Sequence, residues 1–138
     1  MNSEKITVQA TIASEIKKVW DYYTNPSHIV NWNFATDDWH CPWAKNDMRP
    51  GGKYTARMEA KDGSFGFEFG AIYDSIADHK NFTYTMGDER QVTVTFEDKG
   101  GKTQVTVTFD PENQNPIEMQ KGGWQAILDN FAKYTEAN

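Results

Sequence analysis

The chain has 138 residues, a formal charge of −6 and a pI near 5.0, so its average surface repels phosphate backbones and anionic lipids, which argues against a nucleic-acid partner. It has no apolar run of about 18 residues, and the start, MNSEKITVQ, has no apolar stretch, so neither a membrane span nor a secretion signal is expected and the cytoplasm is the expected location. At 38% hydrophobic and 14% aromatic, with one cysteine, Cys41, the composition fits a single reduced domain over 1–138 that must find places for many rings.

From 5 to 12 the residues alternate strictly, with Ile6, Val8, Ala10 and Ile12 on one side, which predicts a half-buried strand. Ser14 is the expected cap of a helix whose apolar residues Ile16, Val19, Trp20 and Tyr23 recur with helical spacing. Asn25-Pro26 ends that helix and supplies a cap and a first-turn proline for a short second one through Ile29 and Val30. Residues 31–53 hold three tryptophans, two prolines and a Gly-Gly pair, and are read as loop apart from one strand around 32–36.

Hairpins follow. YTARMEA alternates Tyr54, Ala56, Met58 and Ala60; KDGS supplies an Asp-Gly turn; FGFEFGAIY returns with Phe65, Phe67 and Phe69 on one face. Gly70 is a candidate bulge, beyond which Ile72 and Tyr73 compete for burial. Three further strands are NFTYTM, QVTVTF and TQVTVTF, separated by GDER and DKGGK, and such short connections make antiparallel neighbours.

The segment NPIEMQKGGWQAILDNFAKY predicts a long final helix, with Asn115 as cap, Pro116 at its first position and Glu118 completing a capping box. Its inward stripe is Ile117, Gln120, Trp124, Ile127, Leu128, Phe131 and Tyr134. Gly122 and Gly123 each cost roughly 1 kcal/mol against alanine in a helix interior. Two explanations are open: a continuous helix whose bare backbone lets a strand or a guest molecule come close beside Trp124, or a break into two pieces. The element order, strand, helix pair, about six strands, long helix, gives an α+β fold with the helix laid on one face of a curved antiparallel sheet.

Four segments, VQATIASEIKKVWDYYTNPSHIVNW, DMRPGGKY, KDGSFGFEFGAIYDSI and GGWQAILDNFAKY, resemble the helix-grip, START-like superfamily that includes the major birch-pollen allergen and aromatic polyketide cyclases. Within it the chain is similar, over nearly its whole length, to the domain of the activators of heat-shock-protein-90 ATPase. The resemblance implies a curved sheet of about six or seven strands wrapped around the C-terminal helix, with a cavity between them that binds hydrophobic small molecules. Residue types agree: Met58, Phe67, Phe69, Tyr84 and Met86 come from the hairpins, Trp32 and Phe34 from the irregular segment, and Trp124 and Leu128 from the helix. These nine are the candidate ligand-binding residues, and a pocket of roughly 300–1,000 Å³ would use their surface.

Metal-capable residues cluster at Asp37, Asp38, His40 and Cys41, with Asp47 nearby, but their spacing fits neither a zinc nor a calcium pattern, so no metal and no other cofactor is expected. Cys41 and His40 are adjacent and would point to opposite faces of a strand, which disfavours a cysteine nucleophile. Gly51-Gly52 precedes a strand and reads as a turn. Asp38, His40, Tyr84 and Arg90 remain as acid-base candidates, each more commonly a solvated or structurally bonded residue. Three functions are weighed: a carrier or sensor of a hydrophobic small molecule, a cyclase-type enzyme using the same pocket, and a co-chaperone partnering heat-shock protein 90. The first is preferred because no catalytic signature is present, and the oligomeric state is left open.

Overall fold

A period of two in the apolar residues of six long segments puts all those side chains on one face, so the segments can pair into one sheet with a single buried side. In the computed structural model, which describes residues 5–138, the chain runs β1 (Ile6–Ile12), α1 (Ile16–Thr24), α2 (Pro26–Ile29), β2 (Trp39–His40), β3 (Ala44–Asn46), β4 (Lys53–Ala60), β5 (Gly66–Ala77), β6 (Asn81–Met86), β7 (Gln91–Asp98), β8 (Thr103–Phe109) and α3 (Ile117–Ala137). The first four residues of the polar start lie outside the described part. Every pairing is antiparallel, in the order β1-β8-β7-β6-β5-β4, and β2 and β3 share the outer side of β4. The sheet curls as a half-barrel around α3, the α+β helix-grip arrangement.

The irregular segment differs most from the sequence reading. No strand forms at 32–36, because the backbone there continues the turn of α2: the Trp32 and Asn33 amides donate to the Ile29 carbonyl, and the Trp32 indole N–H donates to Tyr22 O at 2.9 Å. The strands of this region are β2 and β3 instead. Gly70 carries no bulge and pairs in register with Thr55; the irregularity lies between Tyr73 and Ser75. Parity therefore favours Tyr73, which is buried, while Ile72 stays 41% exposed. Gly52 explains the turn before β4, since a Cβ there would sit 2.1 Å from the Asp47 carbonyl oxygen, and Gly51 adopts φ +84°.

Two helix caps move by one residue. Ser14 does not cap α1; its carbonyl accepts the Thr103 hydroxyl of β8, and Glu15 is the N-cap without a side-chain bond. Asn25 does cap α2, accepting the Ser27 amide at 3.0 Å. At α3 the cap is Pro116, because Asn115 is engaged by Glu112, whose carboxylate accepts both its backbone and side-chain N–H groups. Neither Asn115 nor Glu118 forms the expected capping box, and Ile117 points outward, 48% exposed.

The inner face of the sheet is tightly filled at one end only. There α1, α2 and the C-terminal half of α3 push rings together. Tyr23 meets Phe131 edge-on at 4.9 Å, Trp32 meets Phe131 at 4.9 Å, Tyr23 meets Phe96 at 5.6 Å, and Trp20 packs on Phe96 and Phe82. Edge-to-face contacts at such separations add to the area term, so this group is a rigid wedge between helix and sheet. Outside, paired hydroxyls cover the convex face, as between Thr83 and Thr93, and Gln125 of α3 donates to the Gln9 carbonyl on the free edge of β1.

Phe131 is fully buried at the centre of the wedge, so Phe131→Ala should cost about 3–5 kcal/mol in urea unfolding. A loss under about 1 kcal/mol would mean that the wedge does not hold the helix.

Candidate functional site

Beyond the wedge α3 rests on β1 and β8 but stands off β4, β5 and β6, and a cavity of about 410 Å³ separates it from them. Its walls follow from strand parity and helix period. Inward positions of β4, β5 and β6 supply Tyr54 and Met58, then Phe67, Phe69 and Tyr73, then Phe82, Tyr84 and Met86; α3 supplies Gln120, Trp124, Ile127 and Leu128 along one stripe. Trp124 does not close the space, because it lies flat on Phe109 with ring centres 4.1 Å apart and planes 17° apart.

The glycine question is settled in part by this geometry. α3 is continuous through Gly122 and Gly123, and among the described residues no atom lies within 4 Å of a Cβ built at either. No strand approaches the bare backbone. Gly123 precedes Trp124 and lies one turn before Ile127, at the margin of the lining stripe.

Of the nine candidate ligand-binding residues, Trp32, Met58, Phe67, Phe69, Tyr84, Met86, Trp124 and Leu128 border the cavity. Phe34 does not. It follows the turn after α2, and its carbonyl accepts from Asn130 of α3, which directs this stretch to fastening the helix. Tyr23, Asn33, Asn46, Tyr54, Tyr73 and Gln120 are lining residues that were not singled out from sequence. Tyr54 was legible from the alternation of YTARMEA, whereas Tyr73 depended on the unresolved parity beyond Gly70.

The acid-base candidates do not converge. Tyr84 and Arg90 line the cavity, but the Arg90 guanidinium donates to Asp88 at 2.7 Å. His40 lies on edge strand β2, with Nε2 3.5 Å from Glu59, and Asp38 accepts the Thr36 hydroxyl at the surface. Cys41 is buried against Ala56 and Met58, and burial pushes its thiol up in pKa against the smaller opposing effect of the Asn33 and Trp43 hydrogen bonds. Among the described residues no three His, Cys, Asp or Glu side chains are grouped to hold a metal ion. No helix among them is long and apolar enough to cross a membrane.

Polar groups of two kinds face the interior. At one end Gln120, buried, donates to the Glu112 and Asn115 carbonyls and accepts the Glu112 amide, so it fastens the loop before α3 to the cavity wall. In the middle stand phenols. Tyr73 donates to Asn46 Oδ1 at 2.7 Å, and Asn46 donates in turn to the Thr24 carbonyl. Burial, reinforced for Tyr23, Tyr54 and Tyr84 by neighbouring phenols, raises the pKa of all four tyrosines above the usual range.

Two predictions follow from the cavity wall. Gly123→Ala fills open space and gains helix propensity, so it should stabilise the protein by about 1 kcal/mol and raise Tm by about 3–5 °C; a lower Tm would show that something occupies that space in the protein alone. Because the four folded phenols have raised pKa values, their contribution to stability is complete below about pH 10 and is lost as the pH rises further. Tyrosinate absorbance of the folded protein at about pH 10–11 should therefore be the same in Tyr54→Phe and Tyr84→Phe as in the native chain. A drop of one tyrosine's amplitude in either variant would contradict the buried placement.

Comparison with known proteins places this architecture. The chain is 40% identical to an AHSA1-like protein from Aeromonas hydrophila solved by NMR, covering 97% of this chain and 93% of that one with a TM-score of 0.91. It is 47% identical to a protein from Cytophaga hutchinsonii, with the same coverages and a TM-score of 0.84. A Chromobacterium violaceum protein shares the fold at 19% identity, with a TM-score of 0.85 over 97% of this chain and 98% of that one. No match is found among curated proteins. The family described as Activator of Hsp90 ATPase homolog 1-like protein matches residues 13–136, and the chain belongs to that family.

Proposed function

We propose that the protein binds a hydrophobic small molecule in the space between α3 and the sheet, as a carrier or sensor. The observation that carries this reading is the contrast within one core: the wedge end is packed ring against ring, while next to it about 410 Å³ is left open behind mostly apolar walls. Interiors normally close such space, because unfilled volume forfeits dispersion contacts and apolar burial. A guest restores them, and the volume suits a small organic molecule.

Catalysis of the cyclase type would use the same space, and the chemistry of the lining weighs against it. Among the described residues the lining contains no His, Lys, Asp, Cys or Ser. The Glu112 carboxylate accepts from Gln114 and Asn115, Arg90 is paired with Asp88, and the Tyr84 phenol is held neutral by burial. Such groups orient a guest better than they move its protons. The family description also names activation of a chaperone ATPase. That reading rests on the family description alone, whereas small-molecule binding has the cavity.

The uncharged probe N-phenyl-1-naphthylamine tests the proposal. It should bind one to one, with enhanced fluorescence and a dissociation constant in about the micromolar range, and native mass spectrometry should count a single bound probe. Leu128→Trp, or Met86→Trp as an independent filling, should weaken binding at least about tenfold while keeping a cooperative unfolding transition. Absence of enhancement, or affinity indifferent to both fillings, would contradict binding at this site.

A further inference from the structure

The hydroxyls of Tyr23, Tyr54 and Tyr84 have no hydrogen-bond partner among the described residues, although all three residues line the cavity. Tyr73 shows what a satisfied phenol looks like here, with its bond to Asn46. The three unpaired hydroxyls are not sealed in protein either: the only fully inaccessible side-chain polar atom without a partner among the described residues is Thr135 Oγ1. Their accessible surface faces the cavity. Tyr84 is itself only 6% exposed, its ring lies 6.0 Å from that of Tyr54 and 5.9 Å from that of Tyr73, and Tyr23 reaches the same group through Phe82 at 6.1 Å. A belt of phenols thus crosses an otherwise apolar chamber.

Building on the small-molecule reading above, we infer that the guest is a neutral molecule that carries a hydrogen-bond-accepting oxygen, such as a ketone, within an apolar body, and that Tyr54 and Tyr84, with Tyr23 behind them, donate to it. A buried hydroxyl left without a partner is destabilising, so without a guest these phenols take water as partner. A hydrocarbon would have to displace that water without replacing its hydrogen bonds, and would lose affinity; an oxygen acceptor replaces them. Phenols are stronger donors than acceptors when neutral, which sets the polarity of the recognised group. Anionic guests are disfavoured by burial, since Arg90, the one cationic residue of the lining among the described residues, is already paired with Asp88.

The probes are fluorenone and fluorene, rigid ring systems of nearly the same shape that differ by a carbonyl in place of a methylene. Native protein should bind fluorenone at least tenfold more tightly than fluorene, and the infrared carbonyl stretch of bound fluorenone should move to lower frequency. In a Tyr54→Phe, Tyr84→Phe double variant the preference should fall to about threefold or less, the stretch should return toward its value in hydrocarbon, and fluorene should bind no worse. Each substitution removes one hydroxyl and leaves the ring in place; either single variant, expected to lose part of the preference, serves if the double variant fails to unfold cooperatively. Equal affinities for the two probes, or a preference that survives the substitutions, would overturn the donor role and leave the cavity reading standing. Failure of both probes and of N-phenyl-1-naphthylamine to bind would overturn both.

Discussion

The meeting of Tyr23, Trp32, Phe131, Phe82, Phe96 and Trp20 is the contact on which the rest of the structure depends. Rings that pack edge to face occupy more depth than aliphatic side chains, so they set the distance at which α3 can lie over the sheet. Were this group smaller, the helix would settle onto β5 and β6 and close the interior. The wedge is locked from several directions: the Trp32 indole is tied to the Tyr22 carbonyl, Asn130 donates to the Trp32 carbonyl, and Asn46 links Thr24 of α1 to Tyr73 of β5. Helix, helix pair and sheet are therefore fixed relative to one another at one end, and the other end is left open without being loose.

That division of the core gives the polar groups their meaning. At the wedge end, side-chain hydrogen bonds go to protein partners and fasten elements together. In the chamber, Tyr23, Tyr54 and Tyr84 keep donors free while Gln120 secures the loop that forms one wall. At the opposite side of the chamber Phe67, 44% exposed, joins Trp39 and Phe65 in a cluster of rings that continues the apolar lining to the surface. A chamber with donors inside and rings at its margin supports the proposed guest, an apolar body that carries an acceptor oxygen.

Much of this could be read from the sequence where a single period dominates. The alternation of NFTYTM, QVTVTF and TQVTVTF fixes which side of each strand is buried, and the spacing of Trp124, Leu128 and Phe131 fixes the inward stripe of α3. Local signals failed where tertiary contacts outweighed them. Ser14 and Asn115 are good caps by residue type, but each is claimed by a distant or neighbouring partner, Thr103 and Glu112 respectively. Residues 32–36 carry strand-forming residue types, yet a backbone turn and an indole bond hold them otherwise. The phenol belt was only half visible, since Tyr23 comes from a helix, Tyr73 from the far side of an undetermined parity, and nothing in one dimension says which hydroxyls find partners.

The central claim is that the interior between α3 and the sheet is open space and not protein. Crystals pressurised with xenon test it most directly, because xenon enters apolar cavities and marks them by its scattering. Xenon located against the apolar wall formed by Trp124, Leu128 and Met86, with Trp124 still stacked on Phe109, is the result this account predicts. A chamber without xenon, filled by the collapse of Trp124, Met86 and Leu128 toward one another, would contradict it.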